Sequence, residues 1–224
     1  MNIIDLGLID FDEAYSIQER LAAGVFAGSG DETLLLMEHP SVFTIGSGGD
    51  EGNILDASVE VRRINRGGDV TYHGPGQLVG YPVIDLARRG CDLHRYLRFN
   101  EELLLRAVAE YRVAAFRVPG RTGIWTCRGK LASIGVGVRR WVTMHGFALN
   151  VTTDLAQFTR INPCGMAGCP VTSLEAETGG VTLPEVKSRI GAMFEGVLDE
   201  FMPRTECGTG RSFRNPGGLA QHGR

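Results

Sequence analysis

Between Lys130 and Val138, Ala132, Ile134, Val136 and Val138 share one parity, and Lys130 shares it too. Alternation of this kind specifies a strand with one buried face, and so commits this stretch to a sheet. The parity carries the Lys130 amine toward the apolar side, where burial disfavours an ammonium and equips the amine as a base. A slip of one residue would return it to water. Downstream lies Asn162-Pro163-Cys164-Gly165. Pro163 fixes its own φ and Gly165 admits conformations closed to other residues, so this backbone can present the Cys164 sulfur to a ligand. A thiol attacks as its thiolate, which a neighbouring ammonium favours. Alone, a cysteine is more often packing than chemistry, and a lysine is more often solvated. The pair points to acyl transfer through a thioester.

Composition narrows the alternatives. The 224 residues are 43% hydrophobic, enough for one substantial core. Glycine numbers 31, nearly twice the usual share of ~7%, and gathers in turns without a repeat. That favours loops shaped around a ligand. A net charge of −3 gives no footprint for nucleic acid. Local basic clusters at Arg62/Arg63/Arg66, Arg88/Arg89 and Arg139/Arg140 suit acidic protein partners or solvated strand ends. No secretory leader and no membrane-length apolar run is visible, so a cytoplasmic, membrane-free protein with reduced thiols is expected. Cys164-x4-Cys169 lacks the spacing of a zinc site, so no metal is expected.

The periodicity predicts strands at 3–9, 33–37, 42–45, 59–64, 70–72, 77–86, 114–118, 123–127, 130–138 and 142–151. Helices are predicted after Asp10, over about 92–111, and from Pro184 through Phe201. The sum is mixed α/β with long loops, as a catalytic unit over 1–202 and a disordered tail over 203–224. The segment from Arg66 to Leu78 is rich in glycine but lacks Gly-Lys-Ser/Thr and a following helix. A phosphate loop is therefore disfavoured against a floor for an elongated ligand, with Tyr72 and His73 as polar contacts.

Four motifs, Arg66-Gly67-Gly68-x-Val70-Thr71-Tyr72-His73-Gly74-Pro75-Gly76-Gln77, Gly129-Lys130-Leu131-Ala132-Ser133-Ile134-Gly135, His145-Gly146-Phe147-Ala148-Leu149-Asn150 and Asn162-Pro163-Cys164-Gly165, together resemble the octanoyltransferases of lipoate biosynthesis. They stand in that family's order. The resemblance implies an α+β fold, a mixed sheet flanked by helices like the catalytic domains of lipoate– and biotin–protein ligases. It implies transfer of octanoyl from acyl carrier protein to the lysine of a lipoyl domain, on 2-oxoacid dehydrogenase subunits or the glycine-cleavage H protein. Cys164 would carry the acyl group and Lys130 would activate it. Arg66, Gly67, Gly68, Asp69, Val70, Thr71, Tyr72, His73, Ser133, Ile134, Gly135, Gly146, Phe147 and Ala148 would line the substrate, with Gly135, Gly146 and Ala148 leaving room for it. Backbone N–H groups of 74–77 or 133–135 would meet the oxyanion. No ATP or other cofactor is implied, and a monomer is expected. Cys127 and Cys169 read as ordinary packing thiols.

Three other readings stay open. A ligase would adenylate a free acid with ATP and need no cysteine. A non-enzymatic module binding acyl carrier protein would need neither Lys130 nor Cys164. A Cys/His hydrolase would engage His145 or His73 and release free octanoate.

Overall fold

The computed structural model describes residues 1–205. The chain runs β1 (Asn2–Leu8), α1 (Phe11–Ala27), β2 (Thr33–Glu38), β3 (Val42–Ile45), β4 (Val61–Arg63), β5 (Thr71–His73), β6 (Gln77–Val83), α2 (Leu93–Ala109), β7 (Gly123–Thr126), β8 (Gly129–Arg139), β9 (Val142–Asn150), α3 (Leu174–Thr178) and α4 (Leu183–Phe201). A six-stranded mixed sheet has the order β1-β2-β6-β9-β8-β7, and a three-stranded sheet has the order β4-β3-β5. Helices cover the large sheet on both faces, giving the expected α/β architecture.

The helix ends follow from local chemistry. The Asp10 carboxylate accepts from the N–H groups of Asp12 and Glu13, closing the start of α1. Asp92 accepts from Arg95 at the start of α2, and Glu185 bonds back to the N–H and hydroxyl of Thr182 at the start of α4. Ala14, Ile17 and Leu21 of α1 pack on Leu35, Met37, Val79 and Ala148. On the other face Tyr96, Phe99 and Leu103 of α2 and Ile190 and Phe194 of α4 cover Leu34, Leu78, Ile134 and Leu149. Each such large side chain contributes roughly 1.5–3 kcal/mol by burial. Among the described residues, no helix is long and apolar enough to cross a membrane.

Two irregularities in the large sheet shape the site. β6 is a central strand, yet it contains Pro82 opposite Leu34 of β2. Its ladder with β9 stops at Gly80–Phe147, so the missing Pro82 N–H costs no bond there. Thr143 bridges the gap, its hydroxyl donating to the Pro82 carbonyl and accepting from the Ile84 N–H. The second irregularity is a bulge. Ile124 pairs with Ala132 but Trp125 pairs with Lys130, leaving Leu131 unopposed. Leu131 and Ala132 both join the core under α2 and α4. The parity expected for Lys130 is therefore broken, and its side chain runs over bare Gly123, the partner of Ser133. Lys130 leaves the apolar face of Ala132 and Ile134 and joins the face of Ser133.

Other boundaries differ from the periodic reading. Residues 114–118 make no strand. Phe116 alone bridges Trp125, while Arg117 turns aside to Glu101 and Glu102 of α2. The expected strand 59–64 shortens to β4, and that at 77–86 ends at Val83 because Asp85 caps a 3-10 turn over Leu86–Arg89. The short helix α3, capped by Ser173, has too few residues to show a period. Of the expected tail, Arg204 pairs with Glu32 and the Thr205 N–H bonds to the Arg88 carbonyl. Residues 206–224 lie outside the described residues.

Candidate active site

Cys164 sits in a 3-10 turn, Pro163–Gly165, with φ 57° and ψ 30°. This left-handed conformation costs a non-glycine residue about 1–2 kcal/mol. The Cys164 N–H donates to the Val70 carbonyl at 3.0 Å, and the Gly165 N–H donates to the Asn162 carbonyl at 3.0 Å. Gly165, with φ 71°, continues the turn where a side chain would be strained. So Cys164 itself takes the unusual backbone, with Gly165 extending it.

Lys130 meets this turn from β8. Its Nζ lies 2.8 Å from the Cys164 Sγ and 5.0 Å from the Trp125 ring centroid. The residue is 3% exposed. Its backbone is clamped by the segment that follows the cysteine turn: Lys130 N–H donates to the Pro170 carbonyl, and Thr172 N–H donates to the Lys130 carbonyl. Ser133 Oγ stands 4.0 Å from Sγ. A buried amine against a thiol is a proton-sharing pair, suited to a nucleophile that must lose and regain a proton.

Sγ opens onto two cavities. The narrow one, ≈ 40 Å³, lies where β6 and β9 part. Of the residues expected to line the substrate, Arg66, Gly68, Asp69, Thr71, His73, Ser133, Ile134, Gly135, Gly146, Phe147 and Ala148 line this cavity, joined by Ile64, Tyr81 and His145. The wider cleft, ≈ 430 Å³, runs from Lys130 and Cys164 past Gly67 and Asp69 to Leu93, Leu97, Arg121 and Met166. Val70 and Tyr72 line neither. Their side chains build the small core under the three-stranded sheet with Phe43 and Phe158. Gly135 and Gly146 do not leave room for substrate either. A Cβ on Gly135 would lie 2.9 Å from Arg66 Cδ, and one on Gly146 would strike the Gly80 carbonyl and Pro82. Their bare backbones admit the Arg66 loop and the adjoining strand. Gly67 N–H docks that loop on the Val136 carbonyl.

The cavity is polar at several points. Arg66, 7% exposed, donates to the Gly67 and Thr44 carbonyls and to the Thr44 hydroxyl. Burial pushes its pKa down against the smaller opposing pull of Cys164, Tyr81 and Asp69, and it makes no direct ion pair among the described residues. The buried Thr71 hydroxyl has no partner among them. His73 Nδ1 faces Gln77 Oε1 at 2.7 Å, and burial, then His39, pulls its pKa down to about 3. Gln77 Oε1 is an acceptor because its Nε2 donates to Tyr72 and Asn150, so His73 is protonated at Nδ1. His145 Nε2 faces Asn65 Oδ1 at 3.0 Å, and burial, then Arg66, pulls its pKa to about 3. Both rings are neutral near pH 7. Neither bonds to Sγ, whose partners are Lys130 and Ser133.

Cys127 is exposed and Cys169 partly buried, so the first is no packing thiol. Among the described residues no cluster of three potential ligands could hold a metal ion. The sequence reading missed Tyr81 and Trp125 at the site, and Asn53 behind it, where it bonds to Asp69 and Asn162. Trp125 and Tyr81 carry strand patterns no different from core positions, and Asn53 lies in a segment without a motif.

Residues 10–195 match the lipoyl protein ligase A/B catalytic domain family. An octanoyltransferase of Geotalea uraniireducens is 83% identical, the match covering 95% of this chain and 100% of that one. One from Geobacter sulfurreducens is 60% identical over 91% and 87%. Among solved structures, a bipartite lipoate protein ligase from Thermoplasma acidophilum superposes with TM-score 0.66 at 14% identity, covering 88% and 82%. Biotin protein ligase from Aquifex aeolicus gives 0.54 at 14%, covering 90% and 70%. The two ligases establish a shared fold, and the near-full-length identities establish the family: the chain belongs to the octanoyltransferases, acyltransferases of protein lipoylation.

Proposed function

We propose that Cys164 removes octanoyl from a thioester on acyl carrier protein, holds it as an acyl-enzyme and passes it to a lipoyl-domain lysine. The carrying observation is the 2.8 Å contact between Lys130 Nζ and Cys164 Sγ in a buried setting. In the first half, Sγ bonds to the acyl carbon, the donor C–S bond breaks, and Lys130 gives the proton to the departing pantetheine thiol. In the second, the acceptor amine attacks, its proton passes to Lys130, and the C–Sγ bond breaks as Cys164 recovers that proton. The reaction makes an amide from a thioester and needs no ATP.

The two cavities divide the labour. The acyl tail stays in the narrow one while thiol and amine exchange through the cleft. At ≈ 40 Å³ the narrow cavity holds only a few waters' worth of space. Entry of eight carbons therefore requires its lining to move apart. The Gly76 and Gln77 N–H groups already bond to Glu38 and Gly74, so they are not oxyanion donors. The Ile134 N–H is the better choice. β7 ends opposite Ser133, and Val136, two residues on along the same edge, faces the loop at Gly67. For docking, Arg121 at the cleft is exposed, whereas Arg62 and Arg63 are engaged by Asp12 and Glu51. In this reading the reaction is cytoplasmic, where reduced thiols are the default.

The nucleophilic pair favours transfer over ATP-dependent ligation, and the occupied neutral histidines disfavour a Cys/His hydrolase. Mixing the protein with octanoyl-acyl carrier protein without ATP is expected to add one octanoyl group on Cys164 by intact mass and peptide mapping. Adding a lipoyl domain then discharges it. Cys164→Ala forms no adduct; an adduct of normal rate in that variant would end the proposal, and modification of acceptor only with ATP and free octanoate would establish ligation.

A further inference from the structure

The nucleophile's unusual backbone needs a restraint from outside its own turn. One lies in a segment with no motif, the 3-10 turn Glu51–Asn53. Asn53 uses its backbone and side chain together. Its carbonyl accepts from the Asn162 N–H at 2.7 Å, and its Oδ1 accepts from Asn162 Nδ2 at 3.2 Å. Its Nδ2 donates to Asp69 Oδ2 at 2.8 Å. The other Asp69 oxygen accepts from the Val70 N–H at 2.6 Å, and the Val70 carbonyl accepts from the Cys164 N–H. The same Asp69 oxygen that Asn53 holds lies where a Cβ on Gly165 would come within 2.9 Å. The adjoining Ile54 bridges Ile161, and Leu55 N–H bonds to the Arg160 carbonyl.

We infer that Asn53 is a positioning residue for the acyl-transfer reaction: it latches the cysteine turn to the Asp69 loop and so fixes Cys164 Sγ against Lys130. Three chain segments, around 53, 69 and 162–165, meet at this one side chain. Asp69 lines both cavities and therefore carries the latch to the substrate walls. Asn53 itself lines neither, and acts only through its partners. Its amide is matched group by group: an acceptor faces the Asn162 donor and a donor faces the Asp69 acceptor. Losing the charge-assisted bond to Asp69 slows acylation by roughly 10- to 100-fold, the range such hydrogen bonds command. The effect falls on the rate of adduct formation rather than on KM for the donor. This inference rests on Cys164 being the nucleophile.

The test exchanges the two partners. Asn53→Asp sets two carboxylates face to face, and Asp69→Asn sets two amide donors face to face. In the double variant, Asn53→Asp with Asp69→Asn, the amide at 69 still accepts from Val70 and now donates to the carboxylate at 53. Each single variant is expected to slow octanoylation of Cys164, and the double to recover most of the lost rate. Melting temperatures are read in parallel, so that loss of folding is seen directly. A second readout uses iodoacetamide alone, with no acyl donor. In the singles the pH profile of Cys164 alkylation moves upward, because Sγ is no longer held on Lys130, and in the double it returns. Singles with wild-type acylation rates, or a double no better than either single at equal melting temperature, would overturn the latch. Since alkylation needs no thioester, the latch and the octanoyl-transfer reading fail on different measurements.

Discussion

Lys130 shows what one residue's surroundings can impose. Its Nζ has a sulfur on one side and an indole on another, with no carboxylate within ion-pair reach among the described residues. In the proposed reaction, Lys130 is thus placed to exchange a proton with Cys164 and with no competing acid. Lys130→Ala is expected to slow acylation by at least about tenfold at neutral pH, with much of the loss recovered as pH rises and hydroxide replaces the amine in ionising the thiol. Single-turnover rates across pH check it; an unchanged profile would strip Lys130 of the role. The pairing of Lys130 with Cys164 was legible because each sits in a distinctive run of neighbours. The route by which Lys130 reaches Cys164 was not. Parity placed it with Ala132 and Ile134, whereas the bulge at Leu131 turns it to the Ser133 face. One unpaired residue undoes alternation, and only the opposing strand reveals it. Asn53 was hidden for a related reason, since its partners stand far along the chain.

At the level of elements, strand pairing sets the shape of the narrow cavity. Gly80 of β6 faces Phe147 of β9 across the ladder, and a Cβ there would strike the ring. Phe147 is 2% exposed, packed into the main core, and lines the narrow cavity. Gly80→Ala is therefore expected to push the ring inward, at an overpacking cost of about 1–3 kcal/mol. It should favour hexanoyl over octanoyl relative to the parent protein. Competition between the two thioesters, read as the ratio of masses on Cys164, measures this; an unchanged ratio in a folded variant would mean that Phe147 does not bound the chain. The long elements were readable: α1, α2 and α4 follow apolar stripes with caps, and β8 follows alternation beyond its bulge, from Ala132 to Val138. Residues 114–118 misled because three apolar side chains in alternation, Ala114, Phe116 and Val118, do not distinguish a strand from a connection that touches a sheet once. The expected role of Gly135 and Gly146 misled for a deeper reason. A missing side chain announces close approach, but not whether substrate or protein approaches.

Across the whole molecule, the two sheets meet at a cluster of neutral histidines. His39 follows β2, His73 ends β5 in the small sheet, and His145 lies in β9; the rings of His39 and His73 are 6.0 Å apart. His39 bonds through Nδ1 to the Ile9 carbonyl and through Nε2 to Tyr81, so both nitrogens are committed. Burial lowers the pKa of all three, to about 3 for His73 and His145. Arg66 opposes protonation of the latter two, while Asp10 favours it at His39. In the unfolded chain these groups titrate near pH 6.5, so between that value and about 3 the unfolded state binds more protons than the folded one. Stability is then full above pH 6.5 and falls as pH drops, with His73 and His145 each contributing a slope of roughly 1.4 kcal/mol per pH unit in that window. Carboxylates held low in the fold, such as Glu102 and Glu200, lose their contribution only nearer their ordinary range around pH 4. Denaturant melts between pH 7 and 5 therefore isolate the histidines. A steep fall over that interval is expected, shallower by about one proton in His73→Gln. A midpoint that stays constant from pH 7 to 5 would show that the rings accept protons in the folded protein, and that the junction between the sheets tolerates charge.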